Sequence, residues 1–142
     1  MQLIRRVNKL VFLHADGSCS EIVGFVEEFI TGMGCYESVK AEGGLSGMEK
    51  LVRSLKPDCD VGMVIMPGDE PADTGLTTIQ KIKQTTGAPL AVVVPKAWQE
   101  AMCDDFSPGR FQIITEEDAR EAGKLVMYCV LAKICRAKLP CP

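Results

Sequence analysis

Lys56-Pro57-Asp58-Cys59-Asp60-Val61-Gly62-Met63-Val64-Ile65-Met66-Pro67-Gly68 decides how this chain folds. A polar Pro-Asp opening leads into an unbroken apolar run from Val61 to Met66, and a Pro-Gly pair stops it. A short run, apolar on both faces and bounded by turn formers, predicts a buried central strand over Asp60 to Met66. In open α/β sheets the functional crevice lies beyond the carboxyl ends of such strands. The loop from Pro67 to Asp73 is therefore the first place to look for chemistry.

On the amino side, Leu10-Val11-Phe12-Leu13 predicts a first strand, closed by the turn His14-Ala15-Asp16-Gly17-Ser18. From Ser20 the apolar residues Ile22, Val23, Phe25, Val26, Phe29 and Ile30 recur at helical spacing, and Gly32 and Gly34 end that helix. Tyr36 to Glu42 alternates loosely, as an edge strand does. Ser46 is placed to cap a helix carrying Met48, Leu51, Val52 and Leu55.

On the carboxyl side, Asp73 or Thr74 caps a helix with Leu76, Ile79 and Ile82 inward. Leu90-Ala91-Val92-Val93-Val94 is the most β-branched run and predicts a buried strand. Ala97 to Phe106 predicts a short helix, and Phe111 to Thr115 a fifth strand. A long last helix is expected from Thr115 or Glu117 to about Lys138. Its inward stripe would be Ala122, Leu125, Val126, Cys129, Val130, Ala132 and Ile134. Strands and helices alternating at short connections give a parallel sheet covered on both faces. Right-handed crossovers then favour a flavodoxin-like α/β sandwich of three layers. It would have a five-stranded parallel sheet, order 2-1-3-4-5, five helices, and one domain over residues 1–142.

Composition narrows the function. The net charge of −3, from 16 basic and 19 acidic residues, lacks the clustered basic footprint of a nucleic-acid binder. The basic residues that do cluster, Arg5, Arg6 and Lys9 at one end and Lys133, Arg136 and Lys138 at the other, read as solvated chain ends. No apolar run reaches the ~20 residues that span a bilayer, so no membrane association is expected. No secretory signal pattern follows Met1, and a cytoplasmic location is expected. Seven cysteines stand singly, with His14 the one histidine; free thiols are expected, and neither a zinc site nor a cofactor.

The first strand-to-helix turn holds one glycine, so it is neither a dinucleotide fingerprint nor a phosphate loop. Ser18 and Cys19 there form a candidate ligand or thiol loop. Cys19 lies near a helix amino end, where thiol pKa values fall, and His14 lies nearby. The acids Asp16, Asp69, Glu70, Asp73 and Glu116 are available for a divalent cation, or are simply loop acids.

The segments Lys56-Pro57-Asp58 and Met66-Pro67-Gly68 resemble the receiver domain of bacterial response regulators in two-component systems. That family's pattern is K-P-D-x-x-x-x-D-x-x-M-P-G. The order of elements resembles the family from about Lys9 to Lys138. The resemblance puts the phosphoacceptor aspartate at Met63 and the acidic pair at His14 and Ala15, leaving Asp16 alone. It puts the switch hydroxyl near Val94 to Lys96 and the lysine after strand five near Thr115 or Glu116. A methionine cannot accept phosphate. The resemblance therefore implies a degenerate, pseudo-receiver signalling module, not an enzyme. It would act by binding a protein partner or a second copy of itself. The family's partner face would draw here on Trp98, Met102, Phe106, Tyr128 and Leu131, residues of types enriched at interfaces. The rival reading is a flavodoxin-like domain that binds a small ligand, or performs thiol chemistry, at the first loop.

Overall fold

The computed structural model describes residues 7–32, 34–86, 89–98 and 111–139. The strands are β1 (Lys9–Ala15), β2 (Tyr36–Ala41), β3 (Cys59–Ile65), β4 (Leu90–Val94) and β5 (Phe111–Thr115). They form one parallel sheet in the order β2-β1-β3-β4-β5, as the alternation of elements predicts. The helices are α1 (Ser20–Ile30), α2 (Gly44–Arg53), α3 (Ala72–Thr85), α4 (Glu116–Ala122) and α5 (Lys124–Lys138).

The sheet separates two apolar cores. On one side α2 and α3 place Met48, Val52, Ile79 and Ile82 against Leu13, Val64 and Val92, with Trp98 closing the cluster. On the other, α1, α4 and α5 place Ile22, Val26, Ala119, Met127 and Leu131 against Phe12, Met63 and Val93. All five residues of β4 are buried, which is why that segment reads as a continuous apolar run and not an alternating one.

β3 departs from regular geometry at one point. Val11 pairs with Val61 but Phe12 pairs with Met63, so Gly62 is an extra residue, a β-bulge. The bulge lets Gly62 and Met63 both face the α1/α5 core, while Val61 and Val64 face the α2/α3 core. A β-carbon at Gly62 would lie 3.1 Å from Phe12 Cε1 and 3.3 Å from Ile134 Cγ2. Gly62→Ala is therefore expected to cost about 1 kcal/mol by overpacking, read as a lower urea midpoint with an unchanged slope.

Three expectations change. The last helix is two, because Gly123 adopts φ 78° and interrupts it, with its N–H returning to the Ala119 carbonyl. α4 begins where Thr115 Oγ1 accepts from the Asp118 N–H, a side-chain cap. The restart at Lys124 rotates the buried stripe of α5 onto Met127, Leu131, Ile134, Cys135 and Lys138, leaving Leu125, Val126 and Cys129 exposed. Second, α2 starts at Gly44 with Gly43 as its cap, so Ser46 lies inside the first turn and donates to the Gly43 carbonyl at 3.3 Å. Third, a single turn at 96–98 follows β4, and the rest of the helix expected over 97–106 lies outside the described residues. Among the described residues the helix count of five is reached through the split of the last helix.

Lys138 also corrects a reading. It is not a solvated chain-end charge but fully buried, its Nζ 3.1 Å from Asp60 Oδ2 and donating to the Val61 carbonyl at 2.7 Å. Asp60 Oδ1 in turn accepts from the Val61 N–H at 2.9 Å. The pair ties the end of α5 to the start of β3, below the sheet's amino edge.

Candidate functional site

The carboxyl edge of the sheet gathers the ends of β1, β3, β4 and β5, where the crevice of such a fold opens. Here the β1–α1 turn is bonded across it. Ser18 Oγ donates to the Ile65 carbonyl at 2.6 Å and accepts from the Ala15 N–H at 3.0 Å. Ser18 also forms an isolated bridge with Pro67, and the Gly68 N–H donates to the Gly17 carbonyl at 3.0 Å. The Asp69 carboxylate folds over Gly17, whose φ is 90°. A β-carbon there would stand 2.6 Å from Asp69 Oδ1. Turn and loop are thus laced together by main-chain and hydroxyl bonds, each worth about 1 kcal/mol net.

Met63 does not reach this edge. β3 continues two residues past it to Ile65, and Met63 is buried between Phe12 and Ala91 in the α1/α5 core. Ala15 is buried at the end of β1. Asp16 turns outward, with its Oδ1 2.6 Å from Lys40 Nζ on β2 and its side chain 84% exposed. Residues that the receiver resemblance aligns as one site are therefore not brought together.

The other acids also diverge. Glu117 Oε2 accepts from the Lys96 N–H at 3.2 Å. Asp73 Oδ1 accepts from the Thr74 N–H within the first turn of α3. Glu70 lies toward Gly44. Glu116 leans over the crevice floor, its Oε1 facing Gly68, next to the Asp69 carboxylate over Gly17. Burial, and then the charge of Glu117, raise the Glu116 pKa above its ordinary value. Among the described residues no three His, Cys, Asp or Glu side chains stand close enough to hold a metal ion.

In the candidate thiol loop, Cys19 is the residue before α1, and its carbonyl accepts from the Val23 N–H at 3.0 Å. Its side chain packs against the α1/α5 core. His14 is half-buried, and its electrostatic neighbours are Glu27 and Lys40, not Cys19. Burial first, and then Lys40, hold the His14 pKa below 6.5. The unfolded chain therefore takes up this proton at a higher pH than the folded one, and stability is lost as pH falls below about 6.5. His14→Gln is expected to shrink the drop in melting temperature between pH 7.5 and pH 5.5. An undiminished drop would show that other groups carry it.

The residues aligned with the family's partner face separate sharply. Trp98 and Leu131 are core residues, 3% and 0% exposed, which corrects their reading as surface contacts. Trp98 roofs the α2/α3 core, and Leu131 lies on the buried stripe of α5. Tyr128 is half-buried, its ring 5.2 Å from that of Phe29, so it joins α5 to α1 within the chain. Met102 and Phe106 lie outside the described residues. Among the described residues the large apolar side chains that do face solvent are Leu125 and Val126, which the helical spacing had placed inward. Gly123 was the signal for this, since a glycine inside an otherwise helical pattern marks a candidate stop.

The strand order and the helical cover on both faces of the sheet define a flavodoxin-like α/β fold. Among solved structures, the chain is similar to the pilus assembly protein CpaE from Caulobacter crescentus CB15. The TM-score is 0.55 and the identity 16%, over 94% of this chain and 96% of that one. No family model matches the sequence, and no curated protein does. Among the described residues no helix is long and apolar enough to cross a membrane.

Proposed function

We propose that this chain is a non-catalytic, receiver-like signalling module that acts by binding a protein and not by taking up phosphate. The observation that carries the reading is Met63, aligned with the acceptor aspartate yet buried inside β3, beneath a crevice bridged by Ser18. Phosphoryl transfer needs an oxygen nucleophile and charge neutralisation at one place. Here the nearest acid of the first turn, Asp16, is drawn outward by Lys40. The likeness to a pilus assembly protein supports a role in assembling with other proteins.

The test is incubation with acetyl phosphate and Mg²⁺ followed by intact mass measurement. The expected result is an unmodified chain. A stable single phosphoryl adduct, mapped to an aspartate at the carboxyl edge, would overturn the reading.

A further inference from the structure

Two main-chain hydrogen bonds gather the end of α5 and the start of β2 on one stretch of chain. The Val7 N–H donates to the Lys138 carbonyl at 2.8 Å, which pins the last turn of α5 beside the lead-in to β1. Three residues on, the Leu10 N–H donates to the Cys35 carbonyl at 2.9 Å, which pins the turn before β2 to the same strand. Cys135 stands one turn back from Lys138, on the buried stripe of α5 and 6% exposed. Tyr36 fills the space between. It pairs with Leu10, and its ring lies 6.0 Å from that of Phe12 and 6.3 Å from that of Phe29. The Tyr36 hydroxyl hydrogen-bonds to the thiols of both Cys135 and Cys35. Both cysteines are free, and Cys35 is exposed.

We propose that Cys35 and Cys135 are a dithiol that hydrogen peroxide converts to a disulfide, clasping the last turn of α5 to the turn between α1 and β2. Burial orders the steps. Exposed Cys35 meets the oxidant first, and its thiolate attacks one peroxide oxygen. An S–O bond forms, the O–O bond breaks, and the departing hydroxide takes up the thiol proton as water. The Cys135 sulfur then attacks the sulfenic sulfur of Cys35. The S–S bond forms, the S–O bond breaks, and the Cys135 proton leaves with the hydroxyl as a second water. The thiols together lose two electrons, and the peroxide gains them. Burial raises the Cys135 pKa, while the Tyr36 hydrogen bond acts the other way. Burial also raises the Tyr36 pKa, so the phenol keeps its proton and can donate to one sulfur while accepting from the other. A disulfide needs the two sulfurs to close to ~2 Å. The turn has room for that movement, since nothing lies within 4 Å of a β-carbon placed on Gly32 or Gly34. Cys59 is out of reach of Cys35. The register sets the two on opposite sides of Lys9, two strand spacings or ~9.5 Å apart, beyond the ~7 Å between α-carbons that a disulfide spans.

The test treats the reduced full chain, at low micromolar concentration, with an equimolar amount of hydrogen peroxide. Intact mass is expected to fall by two hydrogens and to recover on adding dithiothreitol. Digestion without reduction is expected to give one linked peptide pair, holding Cys35 and Cys135. Cys35→Ser, at an exposed position, is expected to keep the thermal midpoint and lose the link altogether. Cys135→Ser is expected to stop at the sulfenic acid on Cys35, trapped by dimedone. Amide exchange in the last turn of α5 is expected to slow on oxidation and to return on reduction. A chain that gains oxygen without linking, a bond mapped to any other pair, or a last turn of α5 that exchanges no more slowly when oxidised overturns the proposal.

Discussion

Lys138→Met is expected to destabilise the fold by about 3–5 kcal/mol, one of the two largest effects of any single change considered. The methionine keeps most of the volume of the lysine stem but removes the ammonium. Asp60, 1% exposed, then holds a carboxylate beneath the sheet without the charge that faces it at 3.1 Å. The Val61 carbonyl loses its 2.7 Å donor as well. Asp60→Asn strands the ammonium in the same place and is expected to cost a similar amount. The informative variant is the double change Asp60→Leu with Lys138→Met. Replacing both charges by apolar groups avoids two desolvation penalties, so its cost should fall well below the sum of the singles. Urea unfolding of the four proteins measures the coupling. Additive costs, or a Lys138→Met variant within 1 kcal/mol of the wild type, would show that the pair does not hold α5 to β3.

The sheet was legible in the sequence because its central strands β3 and β4 are buried on both faces. Val61 to Met66 and Leu90 to Val94 read as strands with no knowledge of their neighbours, and short connections left few orders open. The ion pair was not legible, since hydrophobic periodicity assigns no partner to a charge and the two residues lie 78 apart in the chain. Both halves nevertheless carried a sign. Asp60 adjoins an apolar run that gives a charge no wet face. Lys138 extends the spacing of Leu131, Ile134 and Cys135 onto the buried side of α5.

The candidate site divides in the same way. That a methionine stands where the receiver resemblance would put an acid is read from the sequence, but the depth of Met63 inside β3 depends on how far the strand runs and on the bulge at Gly62, which only pairing to β1 reveals. The outward turn of Asp16 depends on Lys40, brought alongside by the β1–β2 register. Trp98 was ambiguous because an indole suits a core and an interface equally, and its contact with α3 decides between them.

That contact carries the second large prediction. Gly75 lies in the first turn of α3, directly beneath the Trp98 indole. A β-carbon there would stand 2.9 Å from Cζ2, with Cη2 and Cζ3 closer still. Glycine to alanine within a helix ordinarily stabilises by about 1 kcal/mol, because alanine loses less backbone entropy on folding. At Gly75 the sign should reverse. The indole is rigid and 3% exposed, so it cannot yield as a flexible side chain would. Either the ring leaves the α2/α3 core or α3 lifts from the sheet, and we expect Gly75→Ala to cost about 3 kcal/mol, toward the upper end of overpacking effects. Gly24 in α1 supplies the control, since nothing lies within 4 Å of the β-carbon it would gain. Gly24→Ala should raise stability by up to about 1 kcal/mol. Trp98 is the one tryptophan, so emission reports on this contact alone. A red shift is expected in Gly75→Ala and none in Gly24→Ala. Adding Trp98→Leu to Gly75→Ala should cost less than the two changes apart, because removing the ring removes the clash. Equal stabilisation by both alanines, with unchanged emission, would mean that the indole does not rest on Gly75.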